Sequence, residues 1–256
     1  MMWTLPPGTT ATILVIGASI GFLSGLLGKG GSAVTTPALQ IFAGVSPFAA
    51  LASPLPASFT TTLSASLAYF RKHLINKRVA AISIYLGIPA TVAGSFCSEW
   101  VGGKLLMILT ALLVLSLGFS FFVMKRDTQK STEAHIPNLK IGTVALSIGF
   151  LSGLLANSGG VLFGPLFIRF LKMPTKEALA TSLIVAAGLA IPGTLTHWYL
   201  GHIDWTIVLL LSTSAIPFSY LGAKLAIYLN SDVLEKIFGI MLILFGVLDL
   251  WFNIFR

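Results

Sequence analysis

The sequence predicts an all-α polytopic membrane protein, and three observations support that prediction. Hydrophobic residues make up 55% of the 256-residue chain and charged residues only 9%, whereas a water-soluble domain of this size needs far more surface charge. Uncharged stretches of about 20 residues, the length that crosses a bilayer, recur along the chain. The chain also repeats itself once at half its length. These features predict two helical repeats in a lipid bilayer.

The repeat is visible in the identical run "IGFLSGLL", which occupies Ile20–Leu27 and again Ile148–Leu155. Further matches share the same separation of 128 positions, and they include Gly21 and Gly149, Pro37 and Pro165, Leu51 and Leu179, Ile75 and Ile203, Pro89 and Pro217, Gly94 and Gly222, and Gly118 and Gly246. Loops and helices therefore share one register, as expected after a tandem duplication. The predicted organisation is a first transmembrane repeat over 1–124, a linker over 125–140 and a second repeat over 141–256.

Each repeat is predicted to contain about five helical elements. Those of the first half are Trp3–Gly28, Ala33–Ala43, Pro47–Phe70, Val79–Ser98 and Gly103–Met124. In the second half a helix and a short piece share Ile141–Ile168, and the spans Ala178–Leu200, Trp205–Ala226 and Val233–Phe255 follow. The N-terminal stretch has neither a positive leader nor a clear small-residue cleavage site, so we interpret it as the first helix and not as a signal peptide.

The positions of the basic residues predict that the two repeats are inverted. If the first helix and the short piece of each repeat form a hairpin, only Lys104 and Arg256 of the 16 Lys and Arg residues fall outside the cytoplasm. Parallel repeats would divide the basic residues almost evenly, against the positive-inside rule. The piece Ala33–Ala43 is short for a full span, so we expect a broken, re-entrant hairpin. The linker is predicted to lie in the cytoplasm as a tether.

The charge also limits the partners. A formal net charge of +8 would suit nucleic acid, but the basic residues lie between apolar segments and form no long run, so we expect no nucleic acid. The predicted partners are the lipid bilayer and a small anionic substrate. Cys97 is the only cysteine, which excludes an intrachain disulfide. We expect no cofactor, no metal and no catalytic residue, and a homodimer is one option for the oligomeric state.

Two glycine-containing breaks, "GKGG" and "NSGG", provide the predicted binding site. Non-helical backbone inside a membrane persists where it is buried in protein or lines a wet cavity. The freed amide groups at the start of a new helix suit an anion, and glycine permits close approach. We expect the two breaks to meet near the middle of the membrane. The predicted substrate-binding residues at the breaks are Lys29, Gly30, Gly31, Ser32, Asn157, Ser158, Gly159 and Gly160.

Short hydroxyl side chains extend this predicted site. They can orient the oxygens of an oxyanion at low desolvation cost. Those assigned to substrate binding are Ser53, Thr60, Thr181 and Ser182, and Thr35, Thr36, Ser58, Thr61 and Thr62 lie beside them. The eight acidic residues fall in loops or near helix ends, whereas a cation pathway would need buried carboxylates. The absence of a predicted carboxylate near the membrane centre indicates an anion.

Several of these residues have plainer interpretations. The glycines at Gly17, Gly21 and Gly25, spaced four apart, are typical of close helix packing, and the Thr60–Thr62 hydroxyls can bond their own backbone. His197 is assigned to the site because it is titratable within a predicted span and could hold a proton. A single histidine near the end of a span is also typical of an interfacial hydrogen-bonding residue.

The doubled glycine-proline pattern, together with "EALATSL" and "HWYLGHIDW", resembles the TauE/SafE family of sulfite and organosulfonate exporters. The resemblance covers essentially the whole chain. It implies a bacterial plasma-membrane exporter of a small sulfur-containing anion such as sulfite, sulfoacetate or another organosulfonate. The motif positions that match are Gly30, Gly31, Pro37, Gly159, Gly160, Pro165, Thr181, Ser182 and Asp204. We expect Asp204 to cap the outer end of a helix. Lys29, Asn157 and Ser158 depart from the family's glycine-richer loops.

Three functions follow from these observations. The leading hypothesis is export of a small oxyanion by alternating access, because inverted repeats with interrupted helices are typical of secondary transporters. A passive anion channel could use the same backbone donors. An intramembrane serine hydrolase would need Ser158 and His197 as nucleophile and base. Coupling is left open between uniport and proton coupling through His197.

Overall fold

The computed structural model describes residues 6–27, 32–123, 136–156 and 160–255, and within them every regular element is an α-helix. The helices of the first half are α1 (Pro7–Leu27), α2 (Ser32–Ala43), α3 (Pro47–Ala52), α4 (Pro54–Phe70), α5 (Lys77–Val101) and α6 (Gly103–Val123). Those of the second half are α7 (Asn138–Leu154), α8 (Gly160–Arg169), α9 (Thr175–Tyr199), α10 (Trp205–Tyr228) and α11 (Ser231–Phe255). The all-helical class predicted from the sequence is confirmed.

The lengths of the helices agree with a membrane protein. Among the described residues, α1, α5, α6, α9 and α10 are long and apolar enough to cross a bilayer. The helices α2 and α8 have 12 and 10 residues, which correspond to about 18 and 15 Å at 1.5 Å per residue. Each half thus opens with a longer helix followed by a short one. The first arm of the predicted hairpin, Trp3–Gly28, corresponds to the 21 residues of α1.

The third predicted element of the first half is two helices and not one. It breaks at Ser53, between α3 and α4. Pro54 and Pro56 follow this residue, and a proline has no amide hydrogen to continue a helix. The equivalent positions of the second half hold Ser182 and Ile184, and α9 runs through them without interruption. Among its described residues the first half therefore has six helices, against the predicted number of about five elements.

The first helix of each half packs on the fourth predicted element of the other half. The two pairs are α1 with α10, and α7 with α5. Helices α1 and α10 run parallel, because Gly17 lies against Leu211 and Gly25 lies against Ser219. A Cβ atom at Gly25 would be 1.9 Å from the carbonyl oxygen of Ser219. Since real Cβ atoms never come this close, only glycine permits the approach of the two backbones.

The pair α5 and α7 repeats this arrangement at equivalent positions. Gly149 lies against Gly87, and Gly153 lies against Thr91. A Cβ atom at Gly153 would be 1.9 Å from the carbonyl oxygen of Thr91. In both pairs a helix of one half thus packs on a helix of the other half, and these contacts join the two halves.

Helices α6 and α11, which occupy equivalent positions in the two halves, run antiparallel. Leu115 of α6 contacts Gly246 of α11. Phe122, which comes later in α6, contacts Gly239, which comes earlier in α11. Gly118 lies between these points and contacts Ile243. Equivalent helices that run in opposite directions are what an inverted repeat requires, so this contact order supports that interpretation.

The two ends of the bundle differ in composition. Helices α5 and α9 run parallel, since Ile84 contacts Gly188 and Thr91 contacts Gly193. The end where α5, α7 and α9 begin carries Lys77, Arg78, Lys140 and Lys176, and we call it the basic end. The end where α5 and α9 finish exposes Trp100, Trp198, Tyr199 and Trp205, and we call it the aromatic end. Exposed tryptophans are typical of a membrane interface, and the positive-inside rule assigns the basic end to the cytoplasm.

Replacing a glycine at either exchanged helix pair should destabilise the protein. Gly25→Ala and Gly153→Ala each force backbones apart, so we expect each to lower the free energy of unfolding by about 1–3 kcal/mol. Gly193→Ala is the matched control, because its Cβ would meet no atom closer than 3.6 Å. Thermal unfolding of the detergent-solubilised variants measures the difference, and equal stability of all three would contradict the packing described above.

Candidate functional site

A small cavity lies between helices of both halves. Its walls come from α1, α2 and α4 of the first half and from α10 of the second. The residues that line it are Gly17, Ile20, Gly21, Ser24, Thr35, Pro54, Ala57, Ser58, Thr61, Leu211 and Ala215. Its volume is about 20 Å³, which is room for one water molecule. The glycines of α1 contribute bare backbone to one wall.

Hydroxyl groups provide the polarity of this cavity, through Ser24, Thr35, Ser58 and Thr61. Ser24 is 0% exposed, and its Oγ has no hydrogen-bond partner within the part of the chain that the structure describes. Thr61 donates from its Oγ1 to the carbonyl oxygen of Ala57 at 2.6 Å. None of the described residues lining the cavity has an ionisable side chain. The Ser24 hydroxyl is thus a buried donor that a guest could use.

Three of the four hydroxyl positions of the cavity are apolar in the second half, whereas the counterpart of Ser24 is Ser152, which is also buried. The counterparts of Thr35, Ser58 and Thr61 are Phe163, Ala186 and Leu189, and each of these three is fully buried. Their side chains replace hydroxyls with aromatic and aliphatic groups. The two halves therefore share a backbone plan but place their buried hydroxyls at different positions, since Ser83 and Ser182 stand at the counterparts of Leu211 and Pro54.

Two of the predicted site residues, Ser53 and Thr181, join the halves instead of lining the cavity. The backbone amide of Asp204 donates to Ser53 Oγ at 2.9 Å, and the amide of Asn76 donates to Thr181 Oγ1 at 3.0 Å. The two bonds are equivalents, since Ser53 matches Thr181 and Asn76 matches Asp204 at the offset of 128. Each hydroxyl holds the residue that precedes a long helix of the opposite half.

Asp204 caps a helix, as the sequence predicted. It is the N-cap of α10, and its side chain accepts hydrogen bonds from the amides of Thr206 and Ile207. Its counterpart Asn76 is the N-cap of α5 and accepts from the amide of Val79. A side-chain acceptor at this position satisfies an amide that the helix leaves free.

The other predicted site residues lie in several places. Thr60 donates to the carbonyl of Ala57 and Ser182 to that of Leu179, both within their own helices. Ser32 and Gly160 begin α2 and α8. The remaining residues, Lys29, Gly30, Gly31, Asn157, Ser158 and Gly159, lie outside the described residues.

His197 contacts the end of α7 and not the cavity. Its Nε2 lies 3.1 Å from the carbonyl oxygen of Gly153. The equivalent residue of the first half is Tyr69, whose hydroxyl donates to the carbonyl oxygen of Gly25 at 3.4 Å. In both halves a ring on the third predicted element contacts a glycine carbonyl in the last turn of the first helix, and the carbonyl of Gly153 also accepts from the amide of Ala156.

The residues flanking the two glycine breaks do not converge. Helices α4 and α9 run antiparallel, because Leu55 near the start of α4 contacts Gly193 near the end of α9. Tyr69 and His197 stand at the finishing ends of these two helices, so the helix ends they hold lie toward opposite ends of the bundle. The breaks themselves lie outside the described residues, so their meeting in the middle of the membrane stays a prediction. The positive-inside rule counts only loop charges, and it cannot give the depth of a break.

Sequence reasoning missed Ser24, Tyr69 and His202. Ser24 lies within the repeated run "GFLSGLL", where the glycines suggested packing alone. Tyr69 and His197 are separated by 128 positions, so the repeat offset contained that signal. His202, in the loop after α9, has a neutral counterpart in Leu74, and nothing in the pattern distinguishes it.

Metal binding has no support from geometry. Across the described ranges, no group of three or more His, Cys, Asp or Glu side chains is placed to hold a metal ion.

An all-helical bundle with exposed apolar helices, an internal repeat and a polar cavity shared between its halves defines a multi-pass membrane transporter. The sequence profile described as "Sulfite exporter TauE/SafE" matches residues 13–248. The chain belongs to the TauE/SafE sulfite exporter family. It is a cell-membrane transporter and not an enzyme, which removes the serine hydrolase alternative.

Individual relatives agree with this assignment. A "Probable membrane transporter protein" of Xylella fastidiosa strain Temecula1 is 29% identical over 242 residues, 92% of each chain. The "Probable membrane transporter protein YunE" of Bacillus subtilis is 25% identical and covers 95% of this chain and 98% of its own. YfcA of Escherichia coli K12, with the same description, is 20% identical over 88% of this chain and 84% of its own. No solved structure matches the chain.

Removing the Ser24 hydroxyl should not destabilise the protein. Its Oγ has no partner in the described structure, so Ser24→Ala relieves the cost of burying an unpaired polar group, about 1 kcal/mol. Ser98→Ala is the control, because Ser98 is equally buried and donates to the carbonyl of Ser95 at 2.6 Å. We expect thermal unfolding of Ser98→Ala at a lower temperature than Ser24→Ala, and the reverse order would show that Ser24 is paired.

The two bonds between the halves should contribute comparable stability. Ser53→Ala leaves the amide of Asp204 unpaired, and Thr181→Val does the same to the amide of Asn76, so each should cost about 1–3 kcal/mol. Single and double variants, compared by thermal unfolding, test this. A loss for one variant alone would show that the halves are not equivalent at this contact.

Proposed function

We propose that this transporter exports a small sulfur-containing oxyanion, either sulfite, sulfoacetate or another organosulfonate, by alternating access. The observation that supports the proposal is the unpaired, fully buried hydroxyl of Ser24 in a cavity that two halves share. Together with the family, it favours a guest that accepts hydrogen bonds. A sulfite or sulfonate group has several oxygens that can do so.

The chemistry of the walls suits an anion that has to leave again. Hydroxyls hold oxygens through neutral dipoles, whereas a buried lysine or arginine would form a charged pair that is hard to separate. No carboxylate among the described lining residues repels a negative charge. The site we propose is therefore made of Ser24, Thr35, Ser58 and Thr61, with the predicted break residues 28–31 next to it in the chain.

The cavity, with a volume of about 20 Å³, is smaller than the proposed substrate. Room for one water is too little for a sulfonate, so the helices around it have to separate before a guest can enter. Proline lies inside both movable walls, at Pro37 in α2 and Pro217 in α10. A proline breaks the hydrogen-bond ladder of a helix and permits a bend there. Opening of these walls to either membrane face is the alternating-access step that we propose.

Sulfite flux into and out of proteoliposomes tests the proposal. We expect the wild-type protein to move sulfite, and Ser24→Ala to lower the initial rate by about tenfold, the effect of one lost hydrogen bond to a charged group. Thr110→Val is the control, since Thr110 is equally buried but bonds its own helix on α6.

Two results would contradict the proposal. One is the absence of flux and of ligand-dependent thermal stabilisation with sulfite, sulfoacetate and a panel of sulfonates. The other is an equal loss of flux in Thr110→Val, which would separate the cavity from transport. Steady currents far above carrier turnover would indicate a channel in place of alternating access.

A further inference from the structure

Two histidine rings face each other at the aromatic end of the bundle. His197 Nδ1 lies 3.0 Å from His202 Nδ1, and His197 is 1% exposed. His202, in the loop between α9 and α10, is half-buried and stacks on Phe48 with ring centroids 4.3 Å apart. A buried ring thus reaches a more accessible one through a single nitrogen-to-nitrogen contact.

The hydrogen bonds define the tautomers of the pair. The carbonyl oxygen of Gly153 can only accept, so His197 Nε2 carries the hydrogen and donates across 3.1 Å. Nδ1 of a neutral His197 is then an acceptor, and the hydrogen between the rings belongs to His202 Nδ1. The remaining nitrogen, His202 Nε2, is left with a lone pair that can bind a proton.

We propose that His202 and His197 form a proton relay from the aromatic end to the end of α7. A proton binds to His202 Nε2, and the hydrogen on His202 Nδ1 moves to His197 Nδ1. One N–H bond forms at each ring, and the N–H bond at His202 Nδ1 breaks. His202 ends neutral, with its hydrogen on Nε2, and His197 ends with both nitrogens protonated and a charge of +1.

The charged groups around the histidine pair affect the pKa of each imidazole. Glu99 at the end of α5, Asp204 at the start of α10 and Lys104 at the start of α6 are the charged groups on the described elements around the pair. Burial lowers the pKa of the His202 imidazole, while the carboxylate of Glu99 acts in the opposite direction. With a pKa below its ordinary value, His202 is neutral at pH 7 and binds its proton only in more acidic solution.

The relay exists in only one half. Tyr69, the counterpart of His197, also donates to a glycine carbonyl, but a phenol cannot accept and pass on a proton near neutral pH. The counterpart of His202 is Leu74. A proton that enters at the aromatic end thus places a positive charge beside the carbonyl of Gly153 in the last turn of α7, and nothing equivalent occurs at Gly25. Such a charge favours a nearby anion, which would couple proton binding to transport.

Nitrogen-15 NMR of histidine-labelled protein in detergent tests the relay without any substrate. We expect coupled titration, so that His202→Gln shifts the titration midpoint of His197 by about 1 pH unit. His73→Asn is the control, since His73 is exposed and has a positive φ that asparagine tolerates. An unchanged His197 titration in His202→Gln would overturn the proposal, as would hydrogen on Nδ1 of neutral His197.

Flux measurements in proteoliposomes then test the coupling, which rests on the proposed function. His197→Tyr installs the residue of the first half and retains a donor to Gly153. We expect wild-type sulfite flux to change about tenfold between about pH 6.5 and 4.5 at the aromatic end, below the ordinary pKa of histidine, as a histidine becomes charged, and flux by His197→Tyr and His202→Gln to lose this dependence. The same pH profile in all three proteins would overturn the coupling. Coupled NMR titration without any wild-type flux would support the relay and contradict the proposed function instead.

Discussion

The close approach of backbones at glycine is the constraint on which this fold depends. In the pairs α1–α10 and α5–α7, a helix from one half lies so near a helix from the other that no Cβ atom fits between them. Burying apolar side chains gives little driving force between helices in a lipid, where the tails are equally apolar, so dispersion contacts between closely packed backbones become the main attraction. Small residues at these positions therefore determine which helices meet, and they tie the halves into one body.

Because the chain is duplicated, each helix contact of one half has a counterpart in the other. We expect the function to depend on positions where the side chains of the two copies differ. Ser24 faces a polar cavity beside Thr35, Ser58 and Thr61, while Phe163, Ala186 and Leu189 occupy the matching positions of the second half. In the same way His197 replaces Tyr69 at the carbonyl of the equivalent glycine. The backbone requires these contacts in both halves, but it does not require the same side chain. Under the two proposals above, the cavity beside Ser24 would bind the guest, and the His197 side chain of the second half would respond to protons.

The sequence predicted the helices well because apolar length and the repeat offset are local properties that can be counted. It predicted the antiparallel course of the halves from loop charges, and the contact order along α6 and α11 agrees with that interpretation. It did not predict that Ser53 and Thr181 bond the opposite half, since such contacts join residues more than 100 positions apart. The sequence also did not predict that Ser24 lines the cavity. A serine between glycines is typical of helix packing, and its neighbours in the fold are not known from the sequence. The break at Ser53 was visible in Pro54 and Pro56, but apolar length outweighed it.

The exchange of helices also determines which parts can move against each other in a transport cycle. Helices α1 and α10 are held together at several glycines, and α4 joins them where Ser64 donates to the carbonyl of Ile216. Helices α5 and α7 form the equivalent unit, and α9 joins them through Leu189 and His197. The moving bodies of an alternating-access cycle would then be these mixed units and not the halves of the sequence. Because the cavity lies within the first unit, between α1, α4 and α10, its opening requires α2 and the bend at Pro217 as well as a rotation between the units. A proton at His197 would act on the second unit, so its effect on the cavity has to pass through the contacts of α4 with α9.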